Sequence, residues 1–348
     1  MKNVKKMLAI LLMASIAIYC LVFPANAGKA VSDGVKRCLE SVIPPLYAMM
    51  AVSGILIRSG IIFRCGKYLT PVSRILFGIN GECTAVFLFS LTAGYPVGAK
   101  IIYTMYNNKI LPKRFAELLS GVCFGSGTAF IFGCITSDIR MGTLILVSTV
   151  SANVILLLIL SIYFRRFETS AGKVPEIKFS ADMLTDCVSS AGRTMGELCF
   201  MVTAFAVFSA MLSDYGIIPK DSVIIRTVFD ITSITELDAD TPLTAGLLSF
   251  GGICVLMQIS SIFRGNLSIL PLAVIRITAS MLSYVICRFL IPVFLAGETV
   301  TANLTIGELH KASSPVPSVL LVIMTAVVIW KSSENKKAVP ERTACKQK

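Results

Sequence analysis

The chain has 348 residues, 55% of them hydrophobic and only 15% charged, with mean hydropathy +0.79 and net charge +12. Soluble domains carry about 25% charged residues, so this composition is that of a polytopic membrane protein. The basic excess sits in loops and in the tail, with no basic face interleaved with aromatics, which excludes a nucleic-acid partner. The partners expected are the lipid bilayer and a small polar solute.

Residue types narrow the chemistry further. The 11 cysteines are odd in number, form no CxxC pair and lie mostly in apolar runs, where a thiol behaves as a small hydrophobe. The only histidine, His310, falls in a loop, which removes most zinc sites and every Ser-His or Cys-His mechanism within the membrane. The expectation is no metal, no cofactor and no enzymatic activity.

In chain order, Lys2, Lys5 and Lys6 precede the apolar stretch 7–23, and Ala25-Asn26-Ala27 resembles a cleavage site. Its 17-residue apolar core exceeds the roughly 7–15 of a signal peptide, so 1–27 reads as a retained helix or signal anchor. Further apolar segments follow at 41–62, 83–106, 115–136, 141–163, 195–213, 242–262, 269–291 and 314–330. Segment 222–238 is too polar for a plain span.

The run Thr92-Ala93-Gly94-Tyr95-Pro96-Val97-Gly98-Ala99-Lys100 interrupts the third segment. Proline removes a donor and clashes with the preceding turn. Freed backbone groups persist at membrane depth only inside protein or beside a water-filled cavity. The loops 58–74, 107–114 and 164–180 are all basic. They share the cytoplasmic side only if 83–106 enters and returns, so it is predicted to be a re-entrant hairpin.

An internal repeat points the same way. Ala51-Val52-Ser53-Gly54 leading to Gly60-Ile61-Ile62 matches Ala206-Val207-Phe208-Ser209 leading to Gly216-Ile217-Ile218. Gly94 lies 157 positions before Gly251, in Ser249-Phe250-Gly251-Gly252. The fold expected is an all-α polytopic membrane protein of about 8–10 membrane segments. Two inverted repeats, 41–163 and 195–330, would each contain a glycine-broken re-entrant hairpin, as in secondary transporters. A cytoplasmic linker, 164–194, joins them, and 331–348 is a basic tail. The inverted plan puts the tail outside, whereas its charge favours the inside.

Polar residues at membrane depth are functional candidates. Gly94, Tyr95, Pro96, Gly98, Lys100, Ser126, Thr128, Gly251, Gly252 and Gln258 are expected around the solute. Glu82, Glu236 and Arg276 are candidates for ion coupling or charge pairing, with Glu236 or Glu197 as the counter-charge for Arg276. Glu236, Asp238 and Asp240 form an acidic cluster before the second break.

Leu91 to Lys100, the basic turn after it, and a Gly-Ser-Gly-containing segment ending Ala129-Phe130-Ile131 together resemble the nucleoside-recognition Gate domain family. More narrowly, they resemble the sporulation integral membrane proteins of the YlbJ type. Phe250-Gly251-Gly252-Ile253-Cys254-Val255 with Gln258, and the Ile43-Pro44-Pro45 start of the second helix, fit the same family. Where that family carries Asn-Asn-Ser-Gly-Pro, this chain carries Phe124-Gly125-Ser126-Gly127-Thr128. The resemblance implies a sporulation-associated protein of a bacterial cell membrane (forespore or mother cell). Its role would be to move a nucleoside-like or other polar solute, or to act as a scaffold in coat or cortex assembly.

Overall fold

A computed structural model describes residues 2–165, 180–219, 222–236 and 240–294. The expected segment 314–330, the basic tail, His310 and Asp238 lie outside the described residues, as does the side chain of Glu236. Among the described residues every regular element is helical. Among the described residues five helices are long and apolar enough to cross a membrane: Pro24–Arg58, Ile139–Phe164, Ala181–Asp214, Thr241–Phe263 and Leu270–Phe294. A sixth is reached if the bent pair Ile61–Leu76 and Gly81–Ala93 counts as one span. The protein is a multi-pass membrane protein.

Helix α1 (Lys2–Val22) buries Tyr19 beside α2 (Pro24–Arg37) and the end of α10 (Ala181–Asp214). A π-helical turn, Cys38–Val42, joins α2 to α3 (Ile43–Arg58), whose first turn holds Pro44 and Pro45. Proline lacks the N–H that a first turn leaves unpaired anyway. Gly60, at φ +76°, lets the chain leave α3 and start α4 (Ile61–Leu76). Helix α4 meets α5 (Gly81–Ala93) at 97°. Its exposed Arg64, Lys67 and Arg74 suit a helix lying on the membrane surface.

Helix α5 begins next to Gly78, which packs on Ser161 and Arg165 at the end of α9 (Ile139–Phe164). It runs inward to Gly94, and α6 (Val97–Asn107) returns. The reversal is visible at Gly98, where an added Cβ would lie 2.7 Å from Ser90 Cβ. In a straight helix those residues would be about 12 Å apart. The segment 81–107 is thus a helical hairpin whose two legs share one end of the protein.

The segment 115–136 is two half-helices. Helix α7 (Lys113–Val122) stops at an extended stretch, 123–127, and α8 (Thr128–Phe130) continues through a π turn to Ile135. Asp138 then caps α9, its carboxylate accepting from Arg140 N at 2.8 Å. Helix α9 runs back along both halves: Phe164 stacks on Phe115, Asn153 reaches Phe124, and Gly142 meets Phe132.

In the second half α10 lies antiparallel to α2–α3, with Gly34 against Thr203 and Gly54 against Cys187. Helix α11 (Val223–Phe229) leads inward from the end where α10 stops, and a 3-10 turn, Ile231–Glu236, leads back to Asp240. Asp240 caps α12 (Thr241–Phe250). Helix α13 (Gly252–Phe263) continues the crossing, and α14 (Leu270–Phe294) runs antiparallel to α12, with Ser283 donating to Ala245 O and Arg276 to Ser249 O.

The two halves therefore repeat one plan with opposite orientation: a hairpin, a crossing broken at mid-depth, then a continuous crossing. The register differs from the sequence expectation. Gly251 is not a hairpin tip; it adopts φ +81° inside the crossing Thr241–Phe263 and corresponds to the break at 123–127. The counterpart of the Gly94 tip is Asp230, in the segment that looked too polar to span. The spacing of 157 residues paired unlike breaks because a left-handed glycine can join two helices without reversing the chain.

Arg58, α4, Lys109, Lys113, Arg114 and Arg165 gather at one end, tied there by Arg58–Asp186 at 3.2 Å and by Arg165 donating to Ile75 O at 2.8 Å. The first hairpin enters from this basic end and the second from the opposite end.

Candidate functional site

All the breaks meet at mid-depth. Tyr95 N donates to Gly125 O at 2.7 Å, and Gly94 (φ +85°) packs on Ser126 O and Gly127. The Tyr95–Pro96 peptide is cis. The rings of Tyr95 and Phe124 stack at 4.7 Å. A Cβ on Gly251 would fall 2.5 Å from Phe124 Cζ, and one on Gly252 3.1 Å from Ile231 N. The glycines fit here because Gly94 and Gly252 meet backbone of the neighbouring segments and Gly251 meets the Phe124 ring, and all three adopt positive φ.

Arg276 is 0% exposed and binds these pieces together. Its Nη2 donates to Asn153 Oδ1 at 2.7 Å, and its Nη1 reaches Phe124 O at 3.4 Å and Ser249 O at 3.3 Å. The guanidinium also lies 4.8 Å above the Phe124 ring. Of the two counter-charges expected, Glu197 is exposed and the side chain of Glu236 lies outside the described residues; among the described residues carbonyls, an amide and a π face surround the guanidinium. The planar fork of arginine suits several fixed acceptors at once.

Beside this cluster is a small cavity of about 30 Å³, lined by Tyr95, Ser126, Asp230, Thr232 and Gln258 among apolar side chains. A water needs roughly 10–15 Å³ of such space, so it holds one or two small groups. Tyr95 Oη is buried and has no hydrogen-bond partner among the described residues. Asp230 is 2% exposed, accepts from Thr232 Oγ1 at 2.6 Å and lies 3.6 Å from Arg37 Nη1. Gln258 Nε2 donates to Cys254 Sγ at 3.3 Å, a weak acceptor. Hydroxyls, an amide and a carboxylate thus converge on one cavity from both hairpins and both broken crossings. Such a set can hydrogen-bond a polar solute or receive a cation. Among the described residues no group of three or more His, Cys, Asp or Glu could hold a metal ion.

The predicted residues divide. Tyr95, Ser126 and Gln258 line the cavity. Gly94, Pro96, Gly98, Gly251 and Gly252 shape the backbone around it without lining it, and Thr128 starts α8 next to it. Lys100 is elsewhere: its Nζ donates to Ser190 Oγ at 3.3 Å and Thr194 Oγ1 at 3.0 Å, tying the hairpin to α10. Helical periodicity carries it one turn past the tip and away from the cavity. Glu82 sits half-buried in the first turn of α5 at the end where the basic residues gather, far from the tip. Glu236 ends the 3-10 turn. Sequence reasoning missed Arg37, Asn153 and Asp230. Asn153 and Asp230 are isolated polar residues within helical or apolar surroundings, a signal that was present. Arg37, on the polar helix α2, gave none.

The chain is similar to the sporulation integral membrane protein YlbJ of Bacillus subtilis (strain 168), being 24% identical over 249 residues. The match covers 64% of this chain, and the chain spans about three-fifths (60%) of the length of that relative. No family model matches. No solved structure matches.

Proposed function

We propose that this chain is a secondary-transporter-like protein that moves a small polar solute through a site closed by the two hairpin tips, and that it serves in spore formation at a forespore or mother-cell membrane. The supporting observation is the buried Tyr95 Oη, without a partner among the described residues, facing a cavity between tips that enter from opposite ends. A buried hydroxyl without a partner costs free energy, which a solute atom in the adjoining cavity would offset. Inverted repeats with broken helices at mid-depth support the same reading, as does the likeness of the glycine-broken run to the Gate family. The small cavity then corresponds to an occluded state. The reading includes no enzymatic step.

Uptake of a pool of polar metabolites into proteoliposomes, read by mass spectrometry, tests the transport part. Accumulation above empty liposomes that is lost in Asp230→Asn supports it, and no accumulation of any pool member counts against it. Expression in a Bacillus subtilis strain lacking YlbJ tests the cellular part through restored spore formation.

A second reading, a non-transporting scaffold for coat or cortex assembly, is favoured by the tightness of the tips, since only about 30 Å³ is open between them.

A further inference from the structure

Helix α10 exposes two opposite charges at membrane depth. It runs from Asp186, which accepts from Arg58 at the basic end, to Asp214, which accepts from Tyr19 Oη at the other. At 1.5 Å per residue the two aspartates stand about 42 Å apart, the depth of a bilayer with its headgroups. Glu197 therefore lies about 5 Å from the midplane and Arg193 about 10 Å, both within the roughly 30 Å hydrocarbon layer. Leu198 and Val202, on the inward face of the helix, line the inner cavity at the same depth. Arg193 and Glu197 are nevertheless exposed, and among the described residues neither has an ion-pair or hydrogen-bond partner. Lys100 acts on Glu197 through space from α6, but its ammonium is bonded to Ser190 and Thr194.

A carboxylate among lipid tails is strongly disfavoured; intramembrane charges face a protein interior or pair with one another. Arg193, Glu197, Phe200 and Ala204 are all exposed, Phe200 by 79%. Their spacing of four, three and four residues sets them on one stripe, with the period of a parallel two-helix seam. We infer that this stripe is an interface with a second copy of the chain, in which Arg193 of each α10 pairs with Glu197 of the other. Copies inserted with the same topology meet about a two-fold axis along the membrane normal, so their α10 helices run parallel. Each residue then faces its own equivalent and, one turn away, the other member of the pair. Arg193 and Glu197 are one turn apart and opposite in sign, so the contact forms two reciprocal ion pairs. Helix Cα–Cβ bonds tilt toward the N-terminus, which carries the Glu197 side chain toward the depth of Arg193. This self-complementarity selects a second copy as the occupant. The chain's own apolar segment 314–330 contains no charged residue, so it could cover Glu197 without neutralising it. The inference does not depend on the transport reading.

The test is Förster transfer between donor- and acceptor-labelled copies of the full chain, reconstituted together in liposomes at falling protein-to-lipid ratios. The native chain is expected to show transfer that persists on dilution. Arg193→Glu and Glu197→Arg each set like charges across the seam and are expected to weaken association on the order of tenfold or more. Mixing the two variants restores both ion pairs, because one copy then carries two acidic residues and the other two basic ones. The mixture is expected to return transfer to the native level. A role confined to one chain, folding included, is not rescued by mixing. Each variant is first shown to be membrane-inserted and monodisperse in detergent. Where a charge reversal fails that check, Arg193→Gln and Glu197→Gln take its place. Each of these alone loses both pairs and their mixture keeps one, so the mixture is expected to associate more tightly than either. A native chain that stays monomeric assigns the face to lipid, to segment 314–330 or to a different protein, and overturns the inference. Native-level transfer in either charge reversal, or a mixture that associates no better than its components, also overturns it.

Discussion

Arg276 donates to Asn153 Oδ1 at 2.7 Å, and both side chains then donate to one carbonyl, that of Phe124. Asn153 lies on α9 and Arg276 on α14, the corresponding final crossings of the two halves. One carbonyl, freed where the helix breaks, thus anchors both repeats. Removing Arg276 takes the side-chain donor from Ser249 O and Asn153 Oδ1 and leaves Phe124 O to the Asn153 amide alone. Arg276→Ala is expected to destabilise by about 3 kcal/mol or more. Asn153→Ala should cost less, and the double variant should fall short of the sum by about 1–3 kcal/mol. Thermal unfolding of the purified variants measures this; strict additivity would show that the two do not act as a unit.

Gly251 and Phe124 are matched in a second way. A methyl group at 251 is strained at φ +81° and collides with the Phe124 ring. Gly251→Ala is expected to lower stability by about 1–3 kcal/mol. Phe124→Leu in the same chain should recover part of the loss by clearing the ring edge. If Gly251→Ala is neutral on unfolding, the close approach of the two breaks is wrong.

Topology gives an independent check. Asn108→Cys, in the turn after the first hairpin, and Tyr68→Cys, on α4, should be modified only from the cytoplasmic face. Ser137→Cys and Tyr215→Cys should be modified only from the opposite face. An impermeant thiol reagent applied to intact cells and to inverted vesicles reads all four, and modification of Asn108→Cys from outside would mean that 81–107 crosses the membrane.

The first hairpin was legible because three basic loops needed to share a side and Gly94-Tyr95-Pro96 offered a place to reverse. The second was not. Residues 223–236 pair their polar groups locally, Asp230 with Thr232 and Thr235 with Thr232 O, so a buried hairpin has the hydropathy of a loop. Gly251-Gly252 stood in its place because a glycine pair in an apolar run signals a break but not its direction. Arg276 was recognised as needing a partner. That partner is a carbonyl freed by a helix break more than a hundred residues away in the chain, which no charge pattern reveals. Tyr95, Ser126 and Gln258 reached the cavity as expected, while Lys100, next to the same motif, turned to α10.

The most direct measurement pairs stability with uptake in Tyr95→Phe. The change removes one buried oxygen that has no partner among the described residues and leaves the ring on Phe124 intact. Packing alone predicts a fold unchanged or more stable by about 1 kcal/mol and no effect on uptake. The account predicts the same stability with uptake into proteoliposomes reduced on the order of tenfold or more, a loss of about 1.4 kcal/mol of solute interaction. Tyr95→Phe with full stability and undiminished uptake would contradict it.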